Sequence, residues 1–450
     1  MKQKTPRILL AGISSGCGKT TVTCGILQAL VNRGLKVGAF KCGPDYIDPM
    51  FHSRIIGAKS ANLDLHFFQE NTLRYLLTKN AADRDVSIIE GVMGYYDGMG
   101  LTTTHASSYE VSKVTDSPVV LVVSAKGASL SVLATIQGFL TFCPDSNIRG
   151  VILNQISPMT YAALAKEIEI RFGIRAYGYL PKMRDYALES RHLGLVTAAE
   201  VENLREKLHM LAVQAEKTID LDGLLKLADS ATGISCEPIV LPRKSPIRIA
   251  VARDNAFCFY YEDSMEALKD MGAEFVEFSP LNDEQLPDHI HGLYLGGGYP
   301  ELYAEKLSAN ISMRTSIHTA LKNNLPCIAE CGGFMYLTEA IGTHPMVGFL
   351  PGTCFDTGKL TRFGYVTLRA KSDNLLCKAG EEIPGHEFHH WDCTQSGESF
   401  TATKSTGKSW DCAVVTDRLY AGYPHFHFYA NPAFLEGFYD TCLKEKNSHD

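Results

Sequence analysis

Gly12-Ile13-Ser14-Ser15-Gly16-Cys17-Gly18-Lys19-Thr20-Thr21 decides how this chain folds. It follows the apolar run of residues 7–13 and opens a helical pattern from Lys19 to Arg33. Glycines let backbone N–H groups curl around phosphate oxygens, and the start of a helix adds a favourable dipole. Gly16 and Gly18 would shape that cradle, Lys19 would neutralise β- and γ-phosphate charge, Thr20 would coordinate Mg²⁺, and Thr21 would complete the nucleotide-binding set. The upstream glycine stands one residue earlier than the usual G-x-x-x-x-G-K-[ST] spacing requires, because position 13 is Ile.

Outward from the loop, β-branched runs recur at Val86–Ile89, Val119–Val123 and Val151–Leu153, with helical segments between them. Such alternation indicates an α/β, doubly wound parallel sheet covered on both faces. A helical stretch, Thr197 to Asp229, closes this half. Two Ser-, Gly- and Pro-containing segments follow, 230–235 and 241–247, and the alternation restarts at Ile247–Ala252, Asp263–Met271, Gly292–Leu295 and Cys327–Ala329. The expected domains are therefore 1–240, a P-loop-type nucleotide domain, and 241–450, a second doubly wound α/β domain.

A chain of 450 residues is long enough for two or three cores. The net charge of −7, with both signs interspersed, argues against nucleic acid as a partner. The first apolar run is too short for a membrane span and the N-terminus lacks a signal-peptide pattern. Thirteen cysteines without a repeated CxxC spacing suit reduced thiols in a cytoplasm.

Two acidic motifs join the loop: Gly43-Pro44-Asp45-Tyr46-Ile47-Asp48-Pro49 and Glu90-Gly91-Val92-Met93-Gly94-Tyr95-Tyr96-Asp97-Gly98. Carboxylates at the C-terminal ends of parallel strands face the ligand crevice, where they can hold Mg²⁺ on nucleotide phosphates. Asp45, Asp48, Glu90 and Asp97 form this acidic set, serving Mg²⁺ or orienting ammonia, with roles left undivided. Lys41 and Arg54 are weaker candidates for substrate carboxylates.

In the second half, Leu325-Pro-Cys-Ile-Ala-Glu330-Cys331-Gly332-Gly333-Phe334 reads as strand, sharp turn and helix, an elbow that exposes a cysteine nucleophile. Gly296-Gly297-Gly298 could supply half of an oxyanion hole. The base comes from Tyr423-Pro-His425-Phe426-His427, with His425 favoured and His427 as orienter or as the base instead. His386-Glu387-Phe388-His389-His390 formally satisfies the zinc-protease pattern HExxH, but Pro384-Gly385 before it and the residues after it leave no helix of useful length.

The phosphate loop resembles the variant form of the dethiobiotin synthetase and nitrogenase iron-protein group. Its longer string, Ala11 to Thr21, resembles the cobyrinate a,c-diamide synthase family, as do Gly-Pro-Asp-Tyr-Ile-Asp-Pro and Glu-Gly-Val-Met-Gly-x-x-Asp-Gly. Tyr95-Tyr96 departs from that family's usual Leu-Phe, a change that preserves bulk. The Cys331/His425 arrangement is similar to class I glutamine amidotransferases, except that His427 stands where a Glu is usual. Gly385 to His389 resembles a string recurrent in the glutaminase domain of cobyrinate and cobyrate amidotransferases, and Glu189 to Leu195 matches a family motif without an assigned role.

The resemblance covers nearly the whole chain. It implies a carbon–nitrogen ligase in cobalamin biosynthesis that uses ATP, Mg²⁺ and L-glutamine to amidate the a and c acetates of cobyrinate through phosphorylated carboxylates. Alternatives are the same chemistry on nickel sirohydrochlorin, in the coenzyme F430 pathway, or on hydrogenobyrinate. A partition-type switch ATPase shares the loop but needs no Cys/His glutaminase. Oligomeric state stays open, a homodimer included.

Overall fold

The computed structural model describes residues 3–183 and 198–449, so the Glu189–Leu195 motif and the start of the expected 197–229 helix lie outside the described residues. The chain divides into two compact units, Met1–Ile239 and Val240–Asp450.

In the first unit, seven strands form one sheet: β1 (Arg7–Gly12), β2 (Val37–Cys42), β3 (Lys59–Leu63), β4 (Val86–Glu90), β5 (Val119–Ser124), β6 (Ile148–Asn154) and β7 (Arg175–Leu180). Their order is β3-β2-β4-β1-β5-β6-β7, parallel throughout. The central strands are buried on both faces, which explains their unbroken Val/Ile/Leu runs. Helix α1 (Lys19–Asn32) starts directly after the phosphate loop. Arg7 is fully buried at the base of the sheet, where its guanidinium donates to the carbonyls of Thr5, Thr115, Asp116 and Thr232.

The expected continuous helix before the linker is two helices, Ala198–Thr218 and Leu221–Asp229. The Asp220 carboxylate accepts from the Gly223 N–H at 2.9 Å and caps the second helix, which starts a new axis there.

The second unit is built on β8 (Ile247–Ala252), β9 (Phe257–Phe259), β10 (Ala273–Phe278), β11 (Gly292–Leu295), β12 (Gly297–Gly298) and β13 (Cys327–Glu330). Strands β10-β8-β11-β13 run parallel and continue into Leu419–Gly422, with Val414–Val415 antiparallel at the edge. An antiparallel five-stranded sheet, 409–412, 400–403, 362–370, 382–389 and 425–426, completes the unit. His386-Glu387-Phe388-His389 thus lies on a strand. Four steps of extended chain set His386 and His390 roughly 13 Å apart, too far for both to ligate one zinc ion.

Candidate active sites

At the C-terminal edge of the first sheet, Leu10 of β1 and Lys41 of β2 both flank Glu90 in register, so Glu90 emerges beside the phosphate loop. Gly18 adopts a φ of 90°, and a Cβ there would lie 1.9 Å from the Asn154 side-chain nitrogen, so glycine is required by both conformation and space. Asn154, at the end of β6, donates to the Cys17 carbonyl at 2.9 Å and pins the loop. Sequence reading passed over Asn154, because a lone strand-end Asn carries no signal until the loop is seen against it. Gly16 sits at the exposed tip of the loop, and α1 begins without a side-chain cap, which leaves its first N–H groups aimed at the loop mouth.

Lys19 is buried and donates to the Met93 carbonyl at 2.9 Å. Burial, and then repulsion by Lys41, lower its pKa. The Thr20 hydroxyl donates to Glu90 Oε1 at 2.6 Å, while Thr21 follows on the first turn of α1. Lys41, read from sequence as a candidate for substrate carboxylates, has a different role in the structure. Its buried ammonium lies 2.5 Å from Asp48 Oδ2 and 3.0 Å from Glu90 Oε1, so its charge is already matched by the protein. Arg54 is exposed on the π-helical turn His52–Ile56.

Three of the four acids, Asp45, Asp48 and Glu90, lie close enough to interact. Glu90 and Asp48 share Lys41, half-buried Asp45 accepts from the Ile47 N–H at 2.8 Å, and exposed Asp97 accepts from the Gly94 N–H at 2.8 Å. Burial, and then the charge of Asp48, raise Asp45 to about 7. Among the described residues no three His, Cys, Asp or Glu side chains form a ready metal cage. A nucleotide-bound Mg²⁺ needs less, since phosphates and waters fill most of its octahedron. Thr20 and Glu90 fit that demand: two hard oxygen donors meet at the loop, and Glu90 Oε2 is buried without a hydrogen bond. Tyr95 and Tyr96 do more than preserve bulk, because the Tyr95 hydroxyl meets Ser112 at 2.9 Å and the Tyr96 hydroxyl donates to the Phe139 carbonyl at 2.6 Å.

In the second unit, β13 ends at Glu330, and Cys331 turns the chain into the helix Gly332–Leu337 with φ 48° and ψ −99°. A non-glycine residue in this region is strained and marks a built elbow. The backbone holds it there: Cys331 N donates to the Gly422 carbonyl at 2.7 Å and Met335 N to the Cys331 carbonyl at 3.0 Å. The Gly296–Gly298 loop lies against the elbow, with Gly333 N donating to the Gly296 carbonyl at 3.0 Å. At Gly297 a Cβ would stand 2.6 Å from Cε1 of His425, so glycine lets the loop and the imidazole share this space.

His425 is buried beside the Cys331 thiol, whose interaction with it favours the imidazolium. Its Nδ1 lies 3.0 Å from Glu330 Oε2. Burial by itself would lower the imidazolium pKa, but hydrogen bonding and charge attraction to Cys331 and Glu330 outweigh it and raise His425 to about 10. His427 does not share that environment. The strand ends at Phe426, and His427 instead caps the 3-10 turn Phe428–Ala430, accepting from Tyr429 N at 3.2 Å with its ring 4.9 Å from that of Tyr261. Burial lowers it to about 3, so its ring is neutral. The strand His425–Phe426 is two residues long, so the two histidines do not share a strand face.

Two family models match the chain: a CobQ/CobB/MinD/ParA nucleotide binding domain over residues 8–196, and a CobB/CobQ-like glutamine amidotransferase domain over residues 248–433. A cobyrinate a,c-diamide synthase of Clostridium acetobutylicum is 42% identical over 95% of this chain and 98% of its own length. The chain belongs to the cobyrinate a,c-diamide synthase family. Family members from Caldanaerobacter subterraneus subsp. tengcongensis, 42% identical over 96% of this chain and 98% of their own, and from Priestia megaterium, 38% identical over 98% of each, agree along the same span. As in the rest of the cobyrinate a,c-diamide synthase family, a nucleotide-binding and a glutamine amidotransferase domain in one chain make a glutamine-dependent amide ligase. Among the described residues no helix is long and apolar enough to cross a membrane.

Proposed function

We propose that this chain amidates the a and c acetate carboxylates of cobyrinate, using ATP in the first unit and glutamine in the second. The observation that supports the reading is the strained elbow at Cys331 with buried His425 beside it, in a chain whose first loop brings Thr20 to Glu90 next to Lys19.

Ammonia is mostly protonated at neutral pH and is then no nucleophile, so it must be made where it is used. With its proton held on His425, the Cys331 sulfur attacks the side-chain amide carbon of glutamine. His425 returns the proton to the departing nitrogen, which leaves as NH₃, and water then cleaves the thioester to glutamate. The Gly332 N–H, next after the nucleophile, faces the developing oxyanion. In the first unit, a substrate carboxylate oxygen attacks the γ-phosphorus of ATP and ADP leaves. NH₃ then attacks the acyl carbon and phosphate departs, giving the amide. Lys19, the loop N–H groups and the α1 N-terminus stabilise charge on the transferring group. Thr20 and Glu90 are the residues that would hold Mg²⁺, which when bound neutralises phosphate charge. The Lys41–Asp48 pair keeps Glu90 in place.

With ATP, Mg²⁺ and glutamine supplied, cobyrinate should lose mass twice, each time by the difference between OH and NH₂. Parallel reactions with hydrogenobyrinate and nickel sirohydrochlorin test the macrocycle; faster amidation of either overturns cobyrinate as substrate. For the glutaminase, His425→Asn should lower glutamate release by about 10³-fold. His427→Asn, which keeps an acceptor for the Tyr429 N–H, should stay within about tenfold of the parent. Equal losses in the two variants would return His427 to the chemistry.

A further inference from the structure

The glutaminase half resembles enzymes that orient the base with a Glu two positions after it, and here that position is His427, neutral and turned to a capping role. We infer that Glu330, the residue immediately before the nucleophile, is the positioning residue for His425. This inference rests on the proposed role of Cys331 and His425.

The geometry is direct. Glu330 Oε2 stands 3.0 Å from His425 Nδ1, so the ring can offer Nε2 to the thiol while Nδ1–H donates to the carboxylate. The other oxygen, Oε1, accepts from the Tyr294 hydroxyl at 2.9 Å, which fixes the rotation of the carboxylate. Glu330 is the last residue of β13, paired on one side with Gly422, and Tyr294 lies on β11, the strand on the other side. All of this is buried: Glu330 is 2% exposed and His425 3%, so the carboxylate acts through a medium where charge is weakly screened.

The titratable groups around this pair are Tyr260, Tyr294 and Tyr420, with His386 opposite His425 on the neighbouring strand and His427 two residues on. Burial raises the three phenols, so they stay neutral and donate rather than compete for charge. A carboxylate at Nδ1 does two things. It selects the tautomer with Nε2 free for the thiol, and it stabilises the imidazolium that forms when Cys331 yields its proton.

The test uses the full chain and follows glutamate release from glutamine, together with amidation driven by ammonium chloride. Glu330→Gln should lower kcat for glutamate release by at least about 100-fold with KM within about threefold. Ammonia-driven amidation should be retained, and the alkaline limb of the glutaminase pH profile should move to lower pH. Glu330→Asp, which keeps the charge, should recover about tenfold of the loss. A Glu330→Gln protein with parental kcat, or with a lowered kcat but an unmoved alkaline limb and no recovery in Glu330→Asp, overturns the inference. If Glu330→Gln fails to fold, Tyr294→Phe decides: a fall in kcat of about threefold or more at constant KM supports it, and an unchanged kcat overturns it. Glutamate release that persists in Cys331→Ser would instead sink the proposed function on which the inference rests.

Discussion

Cys331→Ser should end glutamine-supported amidation, with a loss of at least about 10³-fold, while ammonium chloride still supports product formation. Sulfur is needed because a thiol yields its proton to a histidine far more readily than a hydroxyl does. The His425 imidazolium is held up largely by its partnership with Cys331, so serine removes both the nucleophile and part of what keeps the base charged. Fold effects should be small, since Cys331 is 8% exposed and the exchange changes one atom. The backbone bonds that set the elbow, to Gly422 and Met335, do not involve the side chain. Amide product is measured by mass with glutamine and with ammonium chloride in parallel. A serine variant that still used glutamine at a tenth of the parental rate or better would remove Cys331 from the chemistry.

Glu90→Gln should have the complementary outcome: amidation falls by about 10²-fold or more with either nitrogen source, and glutamate release continues. Glu90 is fully buried and accepts from Thr20 at 2.6 Å and from Lys41 at 3.0 Å through the same oxygen. A neutral amide can still accept there, but it leaves Lys41 with Asp48 as its close counter-charge and offers a weaker oxygen to Mg²⁺. Breaking a buried charge set of this kind costs about 3–5 kcal/mol, so the first unit should also melt earlier. Glutamate release from the second unit provides the control for general damage. Loss of ATP-dependent amidation alongside an intact glutaminase is the expected signature. If ammonia-driven amidation survived Glu90→Gln at the parental rate, Glu90 would be a structural acid alone.

These two variants separate the halves of the reaction, and each draws on a motif that is visible in the chain itself. The loop is legible because ten consecutive residues between a strand and a helix carry its signature. The elbow is legible because Cys331 and its two following glycines mark the turn locally, although the Gly422 and Gly296 carbonyls help to hold it. Asn154 and Lys41 were not legible in their observed roles. One clamps a loop 137 residues away, and the other neutralises acids whose proximity depends on strand order.

Sequence alone thus determined the two α/β units, the glycine-rich loop after β1, the turn at Cys331 and the family, because hydrophobic period, glycine placement and short motifs act over a few residues. Tertiary structure decided which histidine meets the thiol, which acid meets that histidine and how the acidic set divides. Glu330 and His425 lie 95 residues apart and meet because β13 pairs with Leu419–Gly422, which delivers the chain to His425 three residues later. Such contacts depend on sheet register and burial across the whole unit, which no local spacing encodes.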